Sequence, residues 1–261
     1  MKFINSVHSE WIKTRRTAAS WLCLIGGFFI PTIQTIVYLH EGITLDDSTL
    51  GAWQSHFLQS WEIMAPFLLP MGIILAASLI TQLEYKNNTW KQLMTTPQGL
   101  TQIFFANFTV ILLMTFKFFL FFNIGILVSG ILPSLILDGK FPEDSIPVKI
   151  FLKQNGLMLI TCLPILAIQY LISLQFKNFM VPIGFGLLML IGTLILIGNQ
   201  WQHSYISPYS YCFLKFMPIP ITYNLYSYAL IYFGVCMCLS YYFFLKKKES
   251  SLENMNFYKK I

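Results

Sequence analysis

Charge is what this sequence has least of. Only 11% of its 261 residues are Asp, Glu, Lys or Arg, while 56% are hydrophobic and 16% aromatic. A water-soluble domain of this length covers itself with roughly a quarter charged residues, so a soluble globular fold is excluded. Also missing is a G-x-x-x-x-G-K-[ST] loop to cradle phosphates: Gly139-Lys140 is followed by Phe141, and ATP hydrolysis by this chain alone is not expected. His8, His40, His56 and His203 are scattered, with no H-E-x-x-H and no nucleophile elbow, so no enzyme signature is present. Cysteine is sparse and odd in number. Cys23, Cys162, Cys212, Cys236 and Cys238 have no regular spacing, which argues against a disulfide framework or a zinc site and for small buried hydrophobes.

What is present is apolar sequence in blocks of about twenty residues, the length that crosses a hydrocarbon core ~30 Å thick. Six blocks stand out, over 18–38, 62–83, 108–132, 155–176, 181–200 and 223–245. In lipid the backbone must satisfy its own hydrogen bonds, and segments of this length do so as helices. The expected fold is an all-α integral membrane domain of six transmembrane helices covering 1–261. The first block follows a charged segment and has no small-residue cleavage site, so it reads as a retained span. The second block, with Pro66, Pro70 and Gly72, should be bent. Gly184, Gly186, Gly192 and Gly198 in the fifth should permit close helix approach.

The formal charge of +6 does not point to nucleic acid, because the cations lie in the connections. Twelve (Lys2, Lys13, Arg15, Arg16, Lys86, Lys91, Lys177, Lys246, Lys247, Lys248, Lys259 and Lys260) fall on one side and four (Lys140, Lys149, Lys153 and Lys215) on the other. Positive charge is retained inside, which predicts a plasma-membrane protein with both termini cytoplasmic. Trp53, Trp61 and Trp201 should mark the outer interface, and Trp11 and Trp90 the inner one.

Residues 2–17 have helical amphipathicity. Phe3, Ile4, Val7 and Trp11 share one face and Lys2, Ser9, Lys13 and Arg16 the other, as in a helix lying on the inner leaflet with its cations towards lipid phosphates. After the second block comes Leu83-Glu84-Tyr85-Lys86-Asn87-Asn88-Thr89-Trp90-Lys91-Gln92-Leu93-Met94-Thr95-Thr96-Pro97. Its first part reads as a short helix, ended by Thr96-Pro97 and Gly99, that could lie on lipid or offer a face to a soluble protein.

This segment resembles the signature of type-2 ABC exporter permeases, in which a Glu and a Thr-(Trp/Phe)-Lys-x-Leu run lead into a Thr/Ser-Pro turn. Ser9-Glu10-Trp11-Ile12-Lys13-Thr14-Arg15-Arg16 is similar to that family's amphipathic elbow. Size and the Trp-Lys-x-Leu form most resemble the permeases of bacteriocin and lantibiotic self-protection. The resemblance implies that Glu84, Lys86, Thr89, Trp90, Lys91 and Leu93 belong to a coupling helix received by separate ATPase subunits, two in number. Glu10, Trp11, Lys13, Arg15 and Arg16 would belong to the elbow. It also implies a second permease, identical or paralogous, with ATP and Mg bound by the partner rather than by this chain. The cargo would be an amphipathic peptide or hydrophobic compound. A non-transporting scaffold or sensor that recruits a cytoplasmic partner through the same segment is the alternative; a membrane-embedded enzyme would turn over on its own.

Two charged positions near the membrane invite a transport-path reading, Glu62 and Lys117. A lysine at mid-bilayer costs ~2.5–3.5 kcal/mol on insertion scales. Snorkelling or pairing is the bland reading of Lys117 and the one its position favours, and an exposed carboxylate at a span end would account for Glu62. The connection from Asn199 to Tyr211 is aromatic and almost uncharged, which suits either anchoring in the interface or a re-entrant element.

Overall fold

The computed structural model describes residues 2–42, 45, 51–86, 99–137, 145–201, 203–216 and 224–258. Among these residues all regular structure is helical: α1 (Lys2–Thr14), α2 (Ala18–Glu41), α3 (Ala52–Met64), α4 (Leu68–Lys86), α5 (Leu100–Ile136), α6 (Val148–Gln175), α7 (Met180–Gly198), α8 (Tyr211–Leu214) and α9 (Leu225–Tyr258), with 3-10 turns at Ser204–Ile206 and Pro208–Ser210. Helices α2, α5, α6 and α7 and the stretch Leu225–Lys247 of α9 are each long and apolar enough to cross a membrane. The pair α3–α4, bent by 58° at its break, passes the same test only when taken together, which gives five crossings, or six where the pair counts as one broken span. The protein is an all-α membrane protein.

The broken pair corrects the expected second span. The chain is helical from Ala52, ten residues before the expected start, and stops at Ala65–Phe67. Pro66 has no N–H to continue the ladder, and Pro70 falls in the first turn of α4, where the missing donor costs nothing. The third crossing is also longer than expected: α5 has 37 residues, about 55 Å at 1.5 Å per residue. The fourth begins at Val148, which puts Lys149 and Lys153 on the helix rather than in a loop.

Helix directions follow from the contacts. Gly27 of α2 lies against Phe118, Phe121 and Phe122 of α5, and Gly125 of α5 against Pro31 of α2, so these helices run parallel. Asn155 meets Asn123 and Tyr170 meets the Phe104 carbonyl, so α6 runs antiparallel to α5. Lys247 of α9 donates to the carbonyls of Leu174 and Gln175, at 2.7 and 2.9 Å. The starts of α2 and α5 and the ends of α6 and of the apolar part of α9 therefore face one end of the bundle.

Of the five unbroken crossings, α6 is the most buried and α9 the least. The core holds Trp61, Phe104, Phe122 and Tyr170. Trp61 was expected in an interfacial belt, yet it is 1% exposed, with Phe119 and Phe122 edge-on at 5.1 and 4.7 Å. Trp53 is likewise buried. The sequence around 61 reads as a span end; the earlier start of α3 carries both tryptophans inside. Trp201 remains exposed.

Candidate functional site: the elbow end and the membrane interior

At the end where α2 and α5 start, α1 packs against α5. Its contact stripe differs from the expected one. Ser6 and Thr14 are buried and Val7 and Trp11 pack on the core, whereas Ile4 is 71% and Ile12 49% exposed. The helix therefore has three sectors: one against α5, an outward apolar one at Ile4 and Ile12, and a polar one at Asn5, Ser9 and Lys13. A helix between protein, lipid and water needs all three, and the two-faced reading merges the first two. Glu10 and Lys13 pair at 2.5 Å across one turn. Arg15 and Arg16 are exposed, and Arg16 has φ 60°, a left-handed conformation that turns the chain sharply from α1 into α2. Thr14 and Thr17 tie the corner through hydroxyl bonds to the Trp11 and Thr14 carbonyls, both 2.7 Å.

Glu84 and Lys86 occupy the last turn of α4. Thr89, Trp90, Lys91 and Leu93 lie outside the described residues, in the connection 87–98 between α4 and α5. The helix ends that carry this connection are well anchored. Gln82 Nε2 donates to the Phe176 carbonyl at 3.3 Å, and the Thr101 and Tyr241 hydroxyls meet at 2.8 Å.

Inside the bundle, Gln169 joins four elements. Its Nε2 donates to Ser78 Oγ on α4 (2.9 Å) and to the Pro182 carbonyl on α7 (2.7 Å), and its Oε1 accepts from the Tyr209 hydroxyl at 3.4 Å. Gln169, Ser78 and Tyr209 are all buried. Tyr209 belongs to the connection after α7, where Pro208–Cys212 is buried, Thr193 meets Ser207 at 2.6 Å, and Thr161 reaches Cys212 at 3.7 Å. This connection re-enters the helix bundle, packing beside α6 and α7.

Toward the opposite end, His56 accepts or donates at both ring nitrogens, to the Tyr38 hydroxyl (3.1 Å) and to Ser129 Oγ (2.9 Å), with the Ile126 carbonyl at 3.2 Å. Ser60 donates to Gln34 Oε1 at 2.9 Å and to the His56 carbonyl at 2.7 Å. Asn123 and Asn155 bond reciprocally at 3.0 and 2.9 Å. None of these three clusters was singled out from sequence, because their hydrogen-bonded partners lie up to 91 positions apart. A polar residue inside a hydrophobic block was the available signal.

Glu62 is exposed on the last turn of α3. Lys117, half-buried in mid-α5, donates to Ser20 Oγ at 2.6 Å and lies 5.7 Å over the Phe121 ring. The structure brings Glu62 and Lys117 into no mutual contact. Among the described residues no three His, Cys, Asp or Glu side chains gather as a metal site.

At least five long apolar helices and a broken helix pair define a polytopic helical membrane protein. The chain belongs to the ABC-2 family of transporter proteins, whose sequence profile matches residues 6–195, from the elbow to near the end of α7. No curated protein matches it. It is thus a permease subunit of an ABC transporter, a class that works with ABC ATPase subunits.

Proposed function

We propose that this permease serves an exporter, taking its work stroke through residues 84–94 from two ATPase subunits that hold ATP and Mg. It works beside a second permease, identical or paralogous, in a bacterial plasma membrane with both termini cytoplasmic. The observations that support this reading are the family match and the anchored ends of α4 and α5, which flank residues 87–98 and lie at the end of the bundle where α1 packs. Closure of the nucleotide-binding subunits would push on Glu84, Lys86, Thr89, Trp90, Lys91 and Leu93 and tilt the elbow. The Gln169 hub, which ties α4 to α6, α7 and the re-entrant connection, offers a rigid route for that displacement across the membrane.

The cargo in this reading is an amphipathic peptide or other hydrophobic compound, as in self-protection against bacteriocins. Support for it is the resemblance in the Trp-Lys-x-Leu run and the small size of the chain. Coexpression with its ATPase and reconstitution in liposomes tests the function: a candidate cargo should stimulate ATP hydrolysis, and Trp90→Ala should abolish the stimulation with the complex intact. Stimulation that survives Trp90→Ala would favour a different coupling surface. A complex with no stimulation by any amphipathic peptide would favour the scaffold alternative.

A further inference from the structure

We infer that Cys162 and Cys212 form a redox site inside the bundle, at which a peroxide joins α6 to the re-entrant connection through a disulfide. The inference does not depend on the transport reading, since the reaction needs neither ATPase nor cargo.

The fold makes a pair that spacing does not announce. Cys162 lies midway along α6 and Cys212 in the four-residue α8, 50 positions later. Their sulfurs are nevertheless 3.6 Å apart, and both residues are fully buried as free thiols. The other cysteines are placed elsewhere: Cys23 donates to the Met114 carbonyl, and Cys236 and Cys238 lie on α9. A disulfide between Cys162 and Cys212 needs the sulfurs to close by about 1.5 Å, within reach of side-chain rotation at both residues.

The surroundings are the second observation. A small buried hydrophobe needs only apolar neighbours, whereas polar groups converge on these sulfurs. The Thr161 hydroxyl, which donates to the Met158 carbonyl at 2.8 Å, also stands 3.7 Å from Cys212 Sγ. Lys215, one turn after Cys212, places its ammonium on the Gln154 carbonyl at 3.2 Å, near enough to act electrostatically on both thiols. A neighbouring cation favours the thiolate, the form that reacts. Burial opposes that ionisation, so the reaction follows local opening. The element that opens is the short one: α8 has 4 residues and follows two 3-10 turns, whereas α6 has 28, and short elements with few bonds open first. Cys212 is therefore the thiol that meets the oxidant. A small uncharged peroxide enters an apolar bundle at little cost, which a charged disulfide does not.

The chemistry balances. Cys212 Sγ attacks the peroxide, the O–O bond breaks, and a sulfenic acid forms on Cys212 as one water leaves. Cys162 Sγ then attacks that sulfur, the S–O bond breaks, the S–S bond forms, and the thiol proton departs in a second water. Two thiols and one hydrogen peroxide give one disulfide and two waters. The bond fixes the connection to α6 three residues from Tyr209, whose hydroxyl meets Gln169.

The test uses the purified full chain in detergent, reduced, exposed to hydrogen peroxide, denatured in N-ethylmaleimide and mapped by peptide mass spectrometry. A disulfide-linked peptide containing Cys162 and Cys212 should form, and dithiothreitol should release it. Cys162→Ala should leave Cys212 as a sulfenic acid that dimedone labels, and Cys212→Ala should leave Cys162 alkylated. Alkylation of both Cys162 and Cys212 in the oxidised wild type, or their linkage to Cys236 or Cys238 instead of to each other, overturns the site. An unlabelled Cys212 in Cys162→Ala overturns the order of attack.

Discussion

The glycines of the α2–α5 seam and those of α7 do opposite things. On the α2–α5 seam a Cβ at Gly27 would lie 2.9 Å from Phe121 Cβ and 3.2 Å from α5 backbone atoms, and one at Gly125 would lie 2.7 Å from the Pro31 ring. On α7 a Cβ at Gly184, Gly192 or Gly198 would meet nothing within 4 Å, and only Gly186 is engaged, against Ile74 and Gln169. Small residues permit close approach, but they produce it only where a second helix is present. In α2–α5 the partner belongs to this chain. On α7 most of the glycine face is outward, among the exposed Val181, Phe185, Leu188, Ile191 and Ile195.

Substitution at these positions sharpens the contrast. Gly125→Val and Gly27→Val should each cost about 1–3 kcal/mol through overpacking against a ring or backbone that has little room to move. This would be read as a lower midpoint of thermal unfolding in detergent or as loss of the monodisperse species. Gln169→Leu should follow closely: it leaves Ser78, the Pro182 carbonyl and Tyr209 buried without their partner, at about 1–3 kcal/mol for such groups. If Gln169→Leu unfolds at the wild-type midpoint, the hub does not hold α4, α6 and α7 together.

The Asn123–Asn155 pair should show a smaller effect. A double-mutant cycle to Ala should return a coupling of about 0.6 kcal/mol, typical of interhelical bonds in membranes; zero coupling would mean that α5 and α6 are held by packing alone. Gly184→Ala and Gly192→Ala come last. Each should change the stability of the isolated chain by under ~0.5 kcal/mol. A loss as large as that of Gly27→Val would show that this face is packed within the chain.

How much of this was legible in the sequence depends on the distance over which each feature is encoded. Block composition is local, so the helical membrane class, the approximate positions of the apolar helices and the bend at Pro66 could be read directly. The elbow could be located, but its faces could not be assigned: Ser6 and Thr14 are polar and nevertheless pack inward, because α5 supplies a neighbour that amphipathicity does not contain. Trp61 reads as an interfacial anchor until α3 is seen to start at Ala52. Gln169, Ser78 and Tyr209 are separately unremarkable, and the site exists only once α4, α6 and the re-entrant connection meet. Of the residues singled out beforehand, Lys117 acquires a defined environment, Glu62 is exposed at the end of a half-span, and the Trp90 segment lies outside the described residues.

The central claim, that the stroke enters through the segment around Trp90, is tested most directly by a photo-crosslinking amino acid at position 90 in a membrane complex with the ATPase. The account predicts a covalent adduct with the ATPase subunit from position 90 and none from position 203, in the connection after α7. Adducts from position 90 with lipid alone, or labelling of that position by a membrane-impermeant reagent from outside the cell, would contradict it.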